Sequence, residues 1–138
     1  MDFFFEFLPE KRFCGSLLSE ITPATVPSLF GEPDEIEQSD KPAYGEDIAV
    51  YHFFKLQLTL FFNVHKLLNI AIANPEFKIF DTEIFKLREA ELITLFQNNG
   101  FPKHEMDSDW GEKQLVFEDA NITVFFDNQL VSEIFIDM

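Results

Sequence analysis

The side chains that most often carry chemistry are few in this chain, and they are widely spaced. Its three histidines, His52, His65 and His104, form no His-x-His or His-x-x-x-His pair and have no cysteine close by. Zinc sites are usually built from closely spaced ligands of these types. The sequence therefore predicts neither a metal site nor a bound cofactor.

A partial pattern of a different kind is Asp107-Ser108-Asp109, which begins like a calcium-binding loop. The glycine that such a loop needs at its sixth position is absent, because that position is Glu112. The five glycines of the chain also do not form a phosphate-binding loop. Neither a calcium site nor a nucleotide site is expected.

Cys14 is the single cysteine, and it follows the basic residues Lys11 and Arg12, whose charge would lower the pKa of a nearby thiol. The other members of a thiol-enzyme site cannot be recognised in the sequence. A buried structural cysteine is the preferred interpretation. We therefore predict that the protein is not an enzyme.

Charge narrows the classes of partner. The chain has 25 acidic and 10 basic residues and a net charge of -15. This charge repels nucleic acids and anionic lipid surfaces, so neither a nucleic acid nor a membrane is an expected partner. Complementary charge would speed the encounter with a basic protein. The alternative is an acidic surface that serves only solubility.

Size and composition indicate one domain with a phenylalanine-rich core. The chain has 138 residues, of which 46% are hydrophobic and 19 are phenylalanine. Its N-terminus does not resemble a signal peptide, and no apolar run approaches the roughly 20 residues of a membrane span. A lone cysteine favours a reducing compartment, and we predict a cytoplasmic location.

The sequence also resembles itself. Similar segments occur in the same order in both halves, and they predict two repeats, residues 1–74 and 75–138, within a single domain. The matching pairs are Leu29–Pro33 with Leu95–Pro102, Tyr44–Glu46 with Trp110–Glu112, Leu56–Asn63 with Ala120–Asp127, and Ile70–Ile72 with Ile134–Ile136.

Each repeat is expected to contain a short helix followed by an antiparallel meander, which gives an α+β fold with the helices on one side of the sheet or sheets. Strands are predicted at 48–54, 56–62 and 67–73, at 113–118, 120–126 and 130–136, and at about 3–7 and 76–80. Whether the repeats share one sheet is left open.

The two helices have different signals. Thr22 and Pro23 suit the start of the first helix, and Gly31 suits its end. In the second helix, the apolar residues 92, 95 and 96 follow helical spacing, and Gly100 marks the end.

One face of each middle strand is a candidate binding surface. Phe61 and Phe125 occupy equivalent positions, opposite the predicted core and among small polar residues. Phe135 and Tyr51 are candidates to extend this face. Aromatic rings on an uncovered sheet suit protein recognition. The alternative is that the sheet curls and buries these rings in a second small core.

Two acidic segments, each predicted as a loop, are the other candidates for partner binding. The residues singled out are Asp34, Glu35 and Glu37 after the first helix, and Asp107, Asp109 and Trp110 after the second. Such carboxylates suit a basic partner. Solvated loops without a binding role are the alternative.

This tandem, acidic and cysteine-poor organisation resembles β-lactamase-inhibitor-like proteins and small bacterial toxin-immunity proteins. The resemblance covers most of the chain but involves no signature motif, and the disulfides of the secreted inhibitors are absent. It implies a non-enzymatic protein that binds and blocks another protein, with a cytosolic immunity protein as the specific form of the hypothesis.

Two other classes of function remain open at this stage. One is a small-ligand carrier or an enzyme whose site lies between the repeats, where Tyr44, His52, His104 and Trp110 would converge. The other is a structural or assembly role, through strand addition at a free edge or through a homodimer.

Overall fold

The computed structural model describes residues 2–39, 47–108 and 113–138. In chain order the strands are β1 (Phe4–Glu6), β2 (Arg12–Phe13), β3 (Ser16–Leu17), β4 (Glu35–Ser39), β5 (Ile48–Phe53), β6 (Leu58–Asn63), β7 (Lys66–Ile72), β8 (Lys78–Ile79), β9 (Thr82–Glu83), β10 (Glu105–Asp107), β11 (Lys113–Phe117), β12 (Ile122–Asp127) and β13 (Leu130–Asp137). The helices are α1 (Val26–Phe30) and α2 (Glu89–Asn98), and 3-10 turns occur at Leu18–Glu20, Ile84–Lys86 and Glu118–Ala120.

A single eight-stranded sheet joins both halves of the chain. Its strand order is β10-β11-β12-β13-β7-β6-β5-β4, with every neighbouring pair antiparallel. The halves meet where β7 pairs with β13, which places Ile72 opposite Ile134. The question of one shared sheet or two is settled in favour of one.

The two hairpins beside that junction are closely alike. Residues 64–65 and 128–129 form the turns, at the positions that the sequence predicts. Asn128 and Gln129 both have positive φ, as the tight turns that match the twist of a hairpin require. The pairing also shifts at equivalent points, between Phe61 and Phe62 and between Phe125 and Phe126.

A second, five-stranded sheet has the order β3-β2-β1-β8-β9. Its central pair, β1 and β8, is parallel and brings Phe5 opposite Ile79. The N-terminal strand therefore pairs with its counterpart from the second half, at a second junction between the halves.

The core lies between the small sheet and helices on one side and one face of the large sheet on the other. It is continuous and rich in phenylalanine. Phe96 of α2 stacks on Phe117 of β11 with ring centroids 3.9 Å apart. Phe30 of α1 lies 6.1 Å from Phe53 of β5, and its other neighbour is Phe13 of the small sheet. One face of the large sheet is thus covered between its two edge strands, on which Ile36 and Met106 remain 49% and 39% exposed.

The prediction of an α+β fold with tandem helix repeats is wrong, because the protein is mostly β. Strands hold 45% of the described residues, whereas the α-helices and 3-10 turns together hold only 19%. The first helix has only five residues, because it begins at Val26 rather than near Pro23. Thr22 and Thr25 bond to each other's backbone N–H groups and hold residues 22–25 in a turn. Gly31, with φ 86, then ends the helix.

The acidic segments are also not loops, as far as they are described. Glu35–Ser39 and Glu105–Asp107 form β4 and β10, the two edge strands of the large sheet. Charged residues are common on edge strands, because they prevent pairing with further strands. The acidic segments are therefore compatible with strands at the two edges of this sheet. Each half therefore contributes four strands to the sheet, rather than three.

Candidate protein-binding face

The large sheet has a second face that no described helix or strand covers, and we call it the open face. The residues of the open face can be identified because side chains alternate between the two faces along each strand. In β6, Leu58, Leu60 and Phe62 are buried in the core, whereas Thr59 and Phe61 lie on the opposite side and are half-buried. Because residues that stand opposite each other on paired strands lie on the same face, the pairing extends both faces across all eight strands.

Three phenylalanines form a continuous aromatic ridge across the open face. Phe125 of β12 and Phe135 of β13 are 5.3 Å apart in an edge-to-face arrangement. Phe135 is in turn 6.5 Å from Phe61 of β6. Strand β7 lies between β13 and β6, and Ala71 stands opposite both Phe135 and Thr59. The rings can meet across β7 because the alanine side chain is small, and they leave it only 8% exposed.

Acidic residues occupy both ends of this face. Glu37 stands opposite Val50, which stands opposite Phe61. At the other end, Asp107 stands opposite Gln114, which stands opposite Phe125. The second row thus has the same arrangement as the first, an acidic residue on the edge strand and a phenylalanine two strands away. We call the two ends, Glu35 and Glu37 on β4 and Glu105 and Asp107 on β10, the acidic rims.

A hollow of about 290 Å³ lies beside the ridge on the same face. Its lining includes His52, Phe54, Thr59, Ala71 and Glu133. The rings of His52 and Phe54 are stacked 6.2 Å apart, and Phe54 is 62% exposed. Such a hollow has room for a side chain of a partner, with a carboxylate and an aromatic ring in its wall.

The remaining predicted contact residues differ in their surroundings. The Asp34 carboxylate accepts a 2.7 Å hydrogen bond from the N–H of Phe54, and the Asp34 N–H donates to the carbonyl of His52. Asp34 therefore anchors the start of the β4 edge to the end of β5. Glu37 reaches His52, with Oε1 and Nε2 3.2 Å apart. Asp109 and Trp110 lie outside the described residues.

Tyr51 does not belong to the open face, contrary to expectation. It stands opposite Leu60 and contacts Phe62 at 5.1 Å, so it lies on the covered side. Phe135, by contrast, is the central member of the ridge.

The two histidines proposed to share a site between the repeats lie far apart. His52 is on β5, and His104 precedes β10, near the other edge of the sheet. Six strand spacings separate β5 from β10, which is about 29 Å. Tyr44 and Trp110 lie outside the described residues.

Chemically reactive groups are scarce in the described part of the chain. Burial raises the pKa of the Cys14 thiol from 9.0 to about 11, which outweighs a hydrogen bond with the backbone of Phe4. The thiol is therefore protonated at neutral pH and is a poor nucleophile. Among residues 2–39, 47–108 and 113–138, no cluster of three or more His, Cys, Asp or Glu side chains is arranged to hold a metal ion. No helix in these ranges is long and apolar enough to cross a bilayer.

Sequence reasoning overlooked Ala71 and Glu133, although a signal for the first was available. The repeat alignment sets Ala71 against Phe135, so one repeat has a methyl group where the other has a ring. Ala71 and Phe135 pair directly at the β7–β13 junction, which depends on how the halves join. The placement of Glu133 and His52 in the lining of one hollow depends on the same junction.

No protein-family model and no curated protein matches this sequence at a significant level. Among solved structures, the chain is similar to an extracellular protein containing an SCP domain from Bacillus anthracis, with a TM-score of 0.50 and 18% identity. The similarity covers 84% of this chain and 43% of that one, so this chain spans less than half of its length. A DUF4309 family protein from Bacillus subtilis matches over 91% of this chain and 83% of its own, with 16% identity and a TM-score of 0.48. The first likeness concerns the fold alone.

Proposed function

We propose that the protein is a non-enzymatic binding or inhibitory module that holds a basic partner protein against its open face. The observation that carries the proposal is the aromatic ridge, in which Phe61, Phe135 and Phe125 form a chain of ring contacts over four strands without a covering element among the described residues. Large rings at the centre of a surface and polar groups around them are the usual arrangement of a protein interface.

The ridge is suited to binding because it is already ordered. Each ring is half-buried and contacts at least one other ring of the ridge, so little side-chain freedom remains to be lost when a partner docks. The hollow beside the ridge gives a partner side chain a place to insert, and Glu133 in its wall favours a basic one.

The acidic rims favour a basic partner over a second copy of the chain. A homodimer built on the open face would bring together two chains that each carry a net charge of -15, and like charges disfavour such pairing. The same rims disfavour nucleic acid and anionic membranes. A homodimer or another assembly role remains the alternative, and it would appear as a mass that rises with concentration.

The specific form of the proposal is an immunity-type protein that acts in the cytoplasm and blocks a basic target. Its support is the acidic, aromatic binding face and the single cysteine, which favours a reducing compartment. The solved structure of similar fold from Bacillus anthracis is an extracellular protein, so the compartment needs its own test by fractionation of native cells.

The proposal can be tested by affinity capture from native cell lysate, followed by titration of the purified partner. The Phe61→Ala/Phe125→Ala protein is the test variant. Since aromatic hot-spot residues commonly contribute at least about 1 kcal/mol each, we expect Kd to rise more than tenfold. The partner should have a basic isoelectric point, and binding should weaken with added salt.

A matched control keeps the chemistry of the change and moves it off the open face. Phe85→Ala removes a half-buried ring from the 3-10 turn Ile84–Lys86, which packs against the core, and it should weaken binding less than the ridge variant does. If the purified partner binds the ridge variant as tightly as it binds the unmodified protein, the open face is not the binding surface and the proposal fails.

A further inference from the structure

A second concave region lies in the other layer of the molecule, across the core from the open face. It is a groove of about 1060 Å³ along the β1–β8 pair, where the two halves meet in the small sheet. We call it the junction groove. Its walls come from residues 2–8, from residues between 76 and 83, and from Asn99 and Phe101, which follow α2.

One wall of the junction groove is aromatic. Phe7 stacks on Phe80 with centroids 5.2 Å apart and planes 17° apart, and it contacts Phe101 at 4.7 Å. Phe80 and Phe101 are themselves 6.2 Å apart, so the three rings form one cluster. All three are half-buried, which leaves part of the cluster accessible from the groove. Ring faces of this kind attract ammonium and guanidinium groups.

The rest of the lining is strongly acidic. It contains five carboxylates and one ammonium group, that of Lys78. Glu83 is engaged with Lys86, whose hydrogen bond lowers the pKa of that carboxyl. Glu6 and Asp81 are exposed, and neither forms an ion pair with a described basic side chain. Arg12 stands opposite Glu6 in the β1–β2 pair, but its guanidinium contacts Glu10 and the carbonyl of Gly15 instead. The last turn of α2, next to Asn99, also has no basic residue to offset the negative end of the helix dipole.

We propose that the junction groove binds an extended peptide segment in which an arginine or lysine stands beside an apolar residue. The cation would lie against the aromatic cluster and between Glu6 and Asp81, and the apolar residue would cover the remaining ring surface. The volume is at the upper limit of pockets for small molecules, about 300 to 1000 Å³, and the groove is open, which suits a chain segment. This site uses none of the residues of the open face, so it does not depend on the function proposed above.

The test uses the intact protein and the capped peptide Gly-Arg-Leu-Arg-Leu-Gly, titrated at physiological ionic strength. Binding is followed by fluorescence anisotropy, and its location by amide chemical shifts of the ¹⁵N-labelled protein. We expect saturable binding, with the largest shift changes in residues 4–8, 78–83 and 99–101. The same peptide with glutamate in place of arginine should not bind, because the groove is acidic.

Two variants show whether the site is specific. Glu6→Gln/Asp81→Asn should weaken binding about fivefold, from the loss of two exposed charge contacts. Glu20→Gln/Glu32→Gln removes the same charge from exposed positions outside the groove, and it should change Kd less than twofold. Phe7→Leu keeps an apolar side chain but removes the ring, and it should weaken binding about threefold.

Three outcomes would overturn the inference. The first is an absence of saturable binding of the arginine peptide. The second is equal weakening by the two charge variants, which would mean that only the net charge attracts the peptide. The third is a set of shift changes centred on residues 59–61, 123–125 and 133–135, which would place the peptide on the open face instead.

Discussion

One face of the large sheet is covered by the small sheet and the helices, and the other face is open. The same strands supply both faces, because successive side chains of a strand point to opposite sides. Phe62 and Phe126 on the covered face are 0% and 9% exposed. Their immediate neighbours Phe61 and Phe125 point to the open face and remain half-buried. Two phenylalanines that are adjacent in a strand therefore have different roles. One is a core residue and the next is a candidate for partner binding.

The largest expected effect is the difference in the free energy of unfolding between substitutions of Phe62 and Phe61. Phe62→Ala should lower the free energy of unfolding by about 3 to 5 kcal/mol, since it removes a fully buried ring and leaves a cavity. Phe61→Ala should cost no more than about 1.5 kcal/mol, because the ring is already partly in water and loses mainly its contact with Phe135. Urea unfolding of both variants measures the difference. Equal losses would mean that the open face is a second core, which was the alternative weighed from the sequence.

A smaller effect concerns the partly buried thiol of Cys14, in the turn between β2 and β3 of the small sheet. The pKa of Cys14 is raised from 9.0 to about 11 in the folded protein, so the thiol contributes fully to stability below pH 9. This contribution is lost as the pH rises from 9 through 11, because the unfolded chain loses the thiol proton first. At pH 10 the loss should be about 1.4 kcal/mol.

The measurement is urea unfolding of the unmodified protein and of Cys14→Ala at pH 7 and pH 10. The alanine variant removes this titration, and all other ionisable groups are the same in both proteins. Relative to Cys14→Ala, the unmodified protein should have a free energy of unfolding that is about 1.4 kcal/mol lower at pH 10 than at pH 7. A difference that does not change with pH would show that the thiol is not protected from ionisation.

The smallest expected effect on stability lies at the acidic rims. Glu35→Gln/Glu37→Gln should change the free energy of unfolding by less than about 0.5 kcal/mol, as both side chains are exposed. The same variant should slow association with the captured basic partner and weaken the salt dependence of its rate. Glu118→Gln/Asp119→Asn is a matched control, since it removes two exposed charges from a turn between β11 and β12. Equal slowing by both variants would mean that the rims have no special role.

Much of the strand layout was predictable from local pattern. The predicted segments 48–54, 120–126 and 130–136 correspond closely to β5, β12 and β13, because alternation of apolar and polar residues is a strong signal. Helix α2 was also predictable, with Leu92 and Phe96 buried and Gly100 just beyond its end. The high proportion of strand was not predictable in the same way. Charged segments at 35–39 and 105–107 have the composition of loops, and they form strands because a sheet edge tolerates charge.

The candidate site was predictable only in part, for a related reason. Phe61 and Phe125 could be chosen because they occupy equivalent positions in a self-similar sequence. Asp34 looked like a contact residue, yet its carboxylate accepts a backbone hydrogen bond, which composition does not reveal. Tyr51 was assigned to the wrong face because the register of β5 against β6 is set by pairing across strands.

By itself, the sequence determined the acidity of the surface, the phenylalanine content and the alternation that divides Phe61 from Phe62, since each depends only on residue type and spacing. The tertiary structure decided that β7 pairs with β13 and that β1 pairs with β8. The first pairing brings Phe61, Phe135 and Phe125 into one ridge, and the second creates the junction groove. Both depend on contacts between residues far apart in the chain, and the energy of those contacts comes from burying surface that neither half can bury alone.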